Sequence, residues 1–428
     1  MSERPVELGL RANAAQFSLL VAVNALVGAM VGLERSTLPV IGQEDFSLSS
    51  TVAVLSFIVA FGLAKSFTNL GAGALAERIG RRRLLIAGWV LALPVPLLIA
   101  LAPSWGWVVV ANLFLGLNQG LAWSMTVVMK IDLAGPERRG LAMGLNESSG
   151  YGGLAIAAAA SGFLAVDFVA TDVLVIGGFA VAVLALAISV LFVRDTAAHV
   201  GLEHARHHPG LRSSPPGLRE AFPAASYRNP SLRSCSQAGL VNNLNDALAW
   251  GLVPLFLAGA GASTGEIGLV AAVYPATWGL GQIFTGHWSD RAGRKPLIVA
   301  GMLLQAGALG ALAASNGDIA FAAAGAIALG AGTALVYPTL IAAVSDVVSP
   351  AARPPTVGVY RFWRDMGYVI GGLTAGLLAD AVGFSGAIAV IAALTAASGI
   401  WVALDLPSPG RGTRAGYPLA AGPTARPR

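Results

Sequence analysis

A set of polar and ionisable side chains lies on one face of an apolar segment near the end of the chain. Arg361, Arg364, Asp365, Tyr368 and Gly372 have the spacing i, i+3, i+4, i+7 and i+11, which aligns them along one side of a helix. Arginine presents a planar fork that binds carboxylate or phosphate-like groups, and a carboxylate in a dry site can carry a proton. The pattern indicates binding of an anion and a proton, or an internal pair in which Asp365 only neutralises Arg364.

The composition places these charges in a membrane. Of the 428 residues, 55% are hydrophobic and 11% are charged, with a mean hydropathy of +0.70, whereas soluble domains carry roughly 25% charged residues. A single cysteine, Cys235, excludes an internal disulfide and a cysteine-based metal site. The chain contains no P-loop sequence, and its net charge of +5 comes from loops rather than from a nucleic-acid-binding face. We therefore expect a membrane protein that is not an enzyme and has no cofactor, no metal and no nucleic-acid partner.

Twelve apolar runs are long enough to span a bilayer, which takes about 20 residues. They cover residues 15–39, 50–73, 84–102, 106–131, 141–165, 173–193, 234–258, 266–286, 297–314, 319–345, 356–379 and 384–404. The runs predict a tail over 1–13, a six-helix bundle over 14–193, a proline-rich linker over 194–233, a second bundle over 234–406 and a disordered tail over 407–428. The linker contains His199, His204, His207 and His208, for which a solvated linker is a better explanation than a metal site.

The distribution of charge predicts the orientation of these helices. Of the 27 lysines and arginines, 23 fall in the tails and in alternate loops on one side, with Lys130 assigned to the loop after the fourth run. The opposite loops hold none of them but contain seven acids, Glu44, Asp45, Asp167, Asp172, Glu266, Asp318 and Asp380. The positive-inside rule then predicts that both termini are cytoplasmic.

Further ionisable groups lie inside the runs and carry the functional prediction. They are Glu34 and Arg35 in the first run, Lys65 in the second, Glu147 in the fifth, Asp246 in the seventh, and Arg361, Arg364 and Asp365 in the eleventh. Glu34 can be only the counter-ion of Arg35, but unpaired intramembrane groups such as Lys65 and Glu147 usually mark a transport pathway. We expect Glu147 or Asp246 to carry a proton. The predicted pathway also includes Asn24, Asn242, Asn245, Tyr368 and the aromatic pair Trp123 and Tyr337, which can stack on a substrate or only pack helices.

The chain repeats itself at half its length. Gly73-Ala-Leu-Ala-Glu77-Arg78-Ile-Gly80-Arg81 recurs 213 residues later around Gly286, Asp290, Arg291, Gly293 and Arg294, and Pro39 and Gly150-Tyr151 have counterparts at Pro254 and Gly367-Tyr368. Repeats of this kind predict two homologous bundles with a substrate site between them, near the middle of the bilayer.

The doubled GxLAxRxGRR-type turn, the twelve runs and the long central loop resemble the major facilitator superfamily over residues 14–406. The resemblance implies an all-α fold of twelve transmembrane helices in two pseudo-symmetric bundles. It further implies a cytoplasmic gate formed by the turn residues listed above, in which Glu77 and Asp290 latch the outward-facing state; alternatively, the arginines there only fix topology. Two features of the family's proton-coupled exporters are absent, because Asn112 occupies the place of an arginine and Gly150-Tyr151-Gly152-Gly153 lacks a Gly-Pro pair.

These observations predict a secondary active transporter in the plasma membrane that works by alternating access. We expect proton-coupled efflux of a small molecule with anionic groups, by a monomer surrounded by lipid. Proton-linked uptake of an organic acid or nutrient is the alternative within the class, and a transporter-like receptor or scaffold is the alternative outside it.

Overall fold

The computed structural model describes residues 6–135, 139–207, 217–348 and 352–407, and every regular element in these ranges is helical. The predicted disordered tail, apart from Pro407, lies outside the described residues. The helices are α1 (Ala14–Arg35), α2 (Leu38–Glu44), α3 (Thr51–Val54), α4 (Ser56–Ile79), α5 (Arg81–Ala92), α6 (Pro94–Ala100), α7 (Trp105–Ala134), α8 (Arg139–Asp167), α9 (Ala170–Leu191), α10 (Ala197–His207), α11 (Leu218–Pro223), α12 (Pro230–Ala247), α13 (Val253–Gly259), α14 (Thr264–Ala292), α15 (Arg294–Ala313), α16 (Ile319–Val347) and α17 (Arg353–Asp405). Short π-helical segments cover Ala224–Arg228 and Leu248–Leu252.

Ten helical stretches within the described ranges are long and apolar enough to cross a membrane. The last of them, Arg353–Asp405, has 53 residues and contains a break at Gly383, where φ is 77°. A straight helix of that length would measure about 80 Å against an apolar bilayer core of about 30 Å, and the break falls between the eleventh and twelfth predicted runs. The polar helix α12 is not one of the ten. The chain is therefore a multi-pass helical membrane protein, and twelve crossings and pseudo-symmetry stay predictions.

Glycine and proline set the helix boundaries that matter for the site. Gly80 separates α4 from α5 and Gly293 separates α14 from α15, with φ values of 96° and 90°. Side chains disfavour this left-handed region, so glycine suits both copies of the repeated turn. Pro39 lies in the first turn of α2, where no amide donor is needed, and splits the first predicted run into α1 and α2.

The described part of the predicted linker contains helices. It contains α10 and α11, and α12 begins at Pro230, four residues before the predicted boundary. Asn229 caps α12 by accepting a 3.1 Å hydrogen bond from the backbone N–H of Leu232. Proline at the first helical position and asparagine before it are strong helix-start signals. The division of the chain into two bundles and a linker over 194–233 stays a prediction.

Two helix pairs join the N-terminal half to the C-terminal half, and we call them the seams. α8 packs against α14, and α4 packs against α17. Small residues permit the close approach: a Cβ atom at Gly162 would lie 2.6 Å from the Cα atom of Gly268, and one at Gly376 would lie 2.5 Å from the Cα atom of Val52. The seams bring the charged faces of both halves together at the centre.

The two ends of the bundle differ in charge and in contacts. At the end that holds the loops with the seven acids, which we call the acidic end, Asp380 of α17 bonds to Ser50, Thr51 and Val52 at the start of α3, beside the α4–α17 seam. At the opposite end, which we call the basic end, the salt bridges found among the described residues each stay within one half of the chain. The halves are thus tied by a carboxylate at the acidic end.

Candidate functional site

Asp365 is the most fully bonded carboxylate at the centre. Its Oδ1 atom accepts hydrogen bonds of 2.9 and 2.7 Å from Nε and Nη2 of Arg364. Its Oδ2 atom accepts a 2.5 Å bond from Asn69 of α4, in the other half. Arg364 also donates to the hydroxyl of Tyr337 at 2.6 Å, and its guanidinium lies 5.0 Å from the centre of that ring. Arg364 and Asp365 therefore neutralise each other and tie α17 to α4.

Asp246 has a different environment, because neutral groups hold it. It accepts hydrogen bonds from the hydroxyl groups of Tyr274 and Tyr368, the second at 3.2 Å, and it is fully buried. Among the described residues it forms no salt bridge. It lies one residue before the end of α12, next to the π-helical segment Leu248–Leu252, and π-helical insertions are frequent at functional sites.

Glu147 of α8 is the corresponding carboxylate of the N-terminal half. Its Oε1 atom accepts 3.0 Å hydrogen bonds from Trp123 and from Asn146. Its Oε2 atom is buried and has no hydrogen-bond partner in the described structure. Asn24 of α1 braces the same turn by donating a 2.6 Å bond to the carbonyl of Asn146. Asp246 and Glu147 are thus two buried carboxylates that neutral donors hold in place.

Two of the predicted cations lie against aromatic rings. The ammonium of Lys65 is 5.3 Å from the ring centres of Phe61 and Tyr368 and 5.7 Å from that of Trp123. The guanidinium of Arg35 lies 4.8 Å from the centre of Phe61 and 5.4 Å from that of Trp250. Cation–π contacts of this kind stabilise a desolvated cation without satisfying its N–H donors.

Arg35 is buried with Nε and both Nη atoms lacking hydrogen-bond partners among the described residues. The neighbouring carboxylate of Glu34 is also buried, and its Oε2 atom has no partner there. The pair does not meet at salt-bridge distance, although the two groups interact electrostatically.

A chain of aromatic side chains connects the two halves at the same level. Tyr151 of α8 lies over Trp278 of α14 with ring centres 3.6 Å apart, and Tyr151 also contacts Trp123 at 5.2 Å. Trp278 contacts Tyr337 at 5.0 Å, which extends the chain to the guanidinium of Arg364. The predicted aromatic pair Trp123 and Tyr337 is thus joined through one residue from each helix of the α8–α14 seam.

The central aromatic residues that sequence reasoning missed include Trp250, Tyr274 and Trp278, besides Phe61. A signal was available for two of them, because Tyr274 and Trp278 are spaced i, i+4 and so share a helix face. At the repeat offset of 213 they match Phe61 and Lys65. Trp250 gave no such signal, since it lies in the π-helical segment that the sequence did not reveal.

A fourth missed residue is Lys130, and its predicted position was wrong. The sequence assigned it to a basic loop, but it lies inside α7 with 0% of its surface exposed, and its Nζ atom has no hydrogen-bond partner in the described structure. Glu147 is the acid that acts on it electrostatically. A lysine at the end of an apolar run reads as a loop residue, and only packing shows that it is buried.

Three further predicted pathway residues are Asn242, Asn245 and Arg361. Asn242 and Asn245 bond to Gln305 of α15, at 3.0 and 2.8 Å, so they join helices within the C-terminal half. Arg361 is half-buried, and its Nε atom has no partner among the described residues.

The predicted gate residues lie at the basic end. Arg81 binds Asp132 at 2.7 Å, and Arg294 binds Asp290 at 2.7 Å and Asp346 at 2.9 Å. Glu77, Arg78 and Arg291 are exposed. Gly73 borders open space, since a Cβ atom there would meet nothing within 4 Å. Gly286 lies within α14. The structure thus places the gate residues at one end without a described salt bridge across the halves.

No group of three or more histidine, cysteine or acidic residues among the described residues has the arrangement of a metal site. Of the four linker histidines, the described part of the structure includes only the side chain of His199, which contacts Asn13 at 3.2 Å and whose pKa is lowered by partial burial. The side chains of His204, His207 and His208 lie outside the described structure.

Comparison with known families gives one match across most of the chain. The family model described as Major Facilitator Superfamily matches residues 15–231 and 236–425. The interval between the two matched segments falls within α12.

Proposed function

Because the chain belongs to the Major Facilitator Superfamily, it is a membrane transporter of the secondary type, and we propose that it couples movement of a small anionic molecule to protons. In this proposal it lies in the plasma membrane as a monomer, with both termini in the cytoplasm. Its two halves rock about the central site to expose it at one end and then at the other.

One observation carries the proton coupling. Asp246 and Glu147 are buried, one in each half, and their hydrogen bonds come from neutral donors of the same half, Tyr274 and Tyr368 in one case and Trp123 and Asn146 in the other. A buried carboxylate without a salt bridge is stabilised when it binds a proton, and it releases the proton when water reaches it. Asp365 is unsuited to this role because Arg364 holds it as an ion.

The contacts at the two ends support alternating access. The acidic end is tied by Asp380, while the pairs of Asp290 and Asp132 at the basic end stay within their own halves. We propose that this arrangement is open towards the basic end, and that Glu77 and Asp290 latch the opposite arrangement.

Two candidate functions, export and uptake of the anionic molecule, differ in the direction of transport. Export of an anionic molecule is the function that the sequence predicts. A specific observation favours uptake together with a proton, because cations outnumber acids in the candidate site once Lys130 is included. The five cations are Arg35, Lys65, Lys130, Arg361 and Arg364, and the four acids are Glu34, Glu147, Asp246 and Asp365. Protonation of a carboxylate adds positive charge and so strengthens binding of an anion, and ligands that favour each other's binding are suited to moving in the same direction.

Flux measurements in proteoliposomes test the proposal. The purified chain should accumulate members of a panel of radiolabelled monocarboxylates, dicarboxylates and phosphate esters when a pH gradient is applied, and their neutral amide analogues should not accumulate. An acidic exterior that drives accumulation supports cotransport, and one that drives depletion supports exchange. Absence of gradient-dependent flux for every compound, in liposomes that retain folded protein, would contradict the proposal and favour a receptor or scaffold.

A further inference from the structure

We propose that Lys65 and Lys130 form a binding site in the N-terminal half for one monoanionic group of the substrate, such as a carboxylate. This inference rests on the proposed function and adds to it a residue, Lys130, and the charge of the group that is carried.

Lys130 provides the first part of the argument. Lys130 is fully buried, and its Nζ atom has no hydrogen-bond partner in the described structure. An ammonium group has three N–H donors, and an isolated buried charge is strongly unfavourable unless a partner neutralises it. A side chain in this situation indicates a partner that comes and goes.

Lys65 provides the second ammonium. Rings of Phe61, Trp123 and Tyr368 surround it, and among the described residues it forms no salt bridge. The ring faces favour the positive charge but do not accept hydrogen bonds from its N–H groups as a carboxylate would, and the hydroxyl of Tyr368 donates to Asp246. Trp123 lies in α7 seven residues before Lys130, or about 10 Å along the helix on the same face.

Glu147 is the shared acid of the two lysines. It acts electrostatically on both, and it binds Trp123 through Oε1 while Oε2 stays without a partner in the described structure. One carboxylate supplies one negative charge to two ammonium groups. Asp365 and Asp246 also act electrostatically on Lys65, whereas Glu147 is the acid that acts on Lys130. Asp365 is already paired with Arg364.

The missing charge defines the ligand class. When all four acids are ionised, a monoanionic group at the two lysines would balance the five cations against the four acids. The group would lie beside the Trp123 ring, between the centre and the basic end, because Lys130 is four residues from the end of α7. An anion that leaves the centre towards the basic end would then pass from Lys65 to Lys130.

Quenching of tryptophan fluorescence by iodide tests the site without any transport. The full chain is placed in nanodiscs of zwitterionic phosphatidylcholine, and iodide serves as the monoanionic probe. The difference between wild type and Trp123→Phe isolates the signal of Trp123, and acrylamide, a neutral quencher, reports simple access. We expect iodide to quench Trp123 at lower concentrations than acrylamide does. The quenching by iodide should also reach a plateau as its concentration rises, which indicates a binding site.

Charge variants should change the iodide response in opposite directions. Lys130→Gln should weaken apparent iodide binding roughly tenfold, because it removes one of two nearby positive charges, and Lys130→Arg should retain it. Glu147→Gln keeps an acceptor oxygen for Trp123 but removes the shared negative charge, so it should strengthen iodide binding. Lys295→Gln, at the start of α15, is the matched control and should behave as wild type.

Unchanged iodide quenching in folded Lys130→Gln would overturn the inference. If Lys130→Gln does not fold, the Glu147→Gln variant provides the test. Iodide binding to Glu147→Gln that is no stronger than binding to wild type would also overturn the inference. Since the assay needs no substrate and no gradient, failure of the proposed transport leaves iodide binding measurable. Likewise, if transport is observed but iodide binding does not depend on Lys130, the result contradicts only the proposed anion site and leaves the proposed transport function in place.

Discussion

Asp380 and Thr51 join the two halves at the acidic end, where the carboxylate of Asp380 accepts a 2.6 Å hydrogen bond from the backbone N–H of Thr51. The same carboxylate accepts a 2.8 Å bond from the hydroxyl of Ser50. Charge-assisted bonds of this kind are stronger than neutral ones. The side chain of Asp380 therefore holds α17 against the start of α3, at the acidic end of the α4–α17 seam.

The repeated sequence does not repeat this contact. At the offset of 213 residues, Asp167 corresponds to Asp380 and Ser263 corresponds to Ser50. At the second seam, however, Glu266 of the same helix bonds to the N–H and the hydroxyl of Ser263, both at 2.8 Å. The close approach of Gly162 to Gly268 closes that seam instead.

We predict that Asp380→Ala opens the acidic end. Loss of hydrogen bonds to a charged group, worth about 1.5–3 kcal/mol, should increase the open population at least about tenfold. The measurement is the rate at which a membrane-impermeant maleimide labels Val52→Cys in a Cys235→Ser background. Asp318→Ala is the control, since Asp318 caps its own helix α16 at Phe321 and should leave labelling unchanged. Equal labelling rates for the two alanine variants would refute the tie.

The glycine seam gives a second prediction. Gly162→Ala should hinder closure of the acidic end, because its Cβ atom would lie 2.6 Å from the Cα atom of Gly268. Overpacking of this kind costs about 1–3 kcal/mol, and labelling of Val52→Cys should rise accordingly. Gly152→Ala lies in the same helix, where a Cβ atom meets nothing within 4 Å, and should label like wild type. A rise of equal size in both variants would mean that helix propensity, rather than the seam, is responsible.

Replacement of the proposed proton carrier should separate coupling from exchange. Asp246→Asn keeps one acceptor oxygen for a tyrosine hydroxyl, and its NH2 group can donate to the other hydroxyl. The variant cannot ionise, so we expect pH-gradient-driven accumulation to fall to the level of empty liposomes. Substrate counterflow at equal pH should persist, because the halves can still rock with a neutral group in place. Gradient-driven accumulation at the wild-type rate would exclude Asp246 as the carrier and leave Glu147.

Asp365→Asn should act on stability rather than on coupling. It leaves Arg364 buried without its counter-ion, and a broken buried ion pair destabilises a protein by about 3–5 kcal/mol. We expect a clearly lower melting temperature in differential scanning fluorimetry. Asp290→Asn is the comparison, because its side chain is 63% exposed and an exposed pair contributes at most about 1 kcal/mol. A normal melting temperature for Asp365→Asn would contradict the structural role of the pair.

Asp290→Asn should instead shift the balance between the two arrangements. If Asp290 latches the basic end, its loss should leave that end open more often, and a thiol at Gly144→Cys should be labelled a few-fold faster, in line with about 1 kcal/mol. A Cβ atom at Gly144 meets nothing within 4 Å, so the reporter is accessible in this arrangement. Asp318→Asn, at the acidic end, serves as control. Unaltered labelling in Asp290→Asn would remove it from the latch.

Much of the fold and part of the site could be predicted from particular residues. Gly80 and Gly293 fall at the predicted turns because their backbone conformation excludes most side chains. The choice of partners could not be predicted. Arg364 and Asp365 are adjacent and do pair at 2.7 Å, but Glu34 and Arg35 are also adjacent and do not pair. Adjacent residues on a helix point in directions about 100° apart, so neighbouring elements decide whether they meet.

The sequence by itself determined that this chain enters a membrane, because its long apolar runs cannot be hidden from water by so few polar residues. It also predicted most of the charges that are buried there, although Lys130 was missed and Arg361 is only half-buried. Only the tertiary structure decided which of those charges are neutralised and which are not. The reason is that a buried charge is balanced by groups within a few ångströms in space, and the seams bring together α4 with α17 and α8 with α14, which are far apart in the chain.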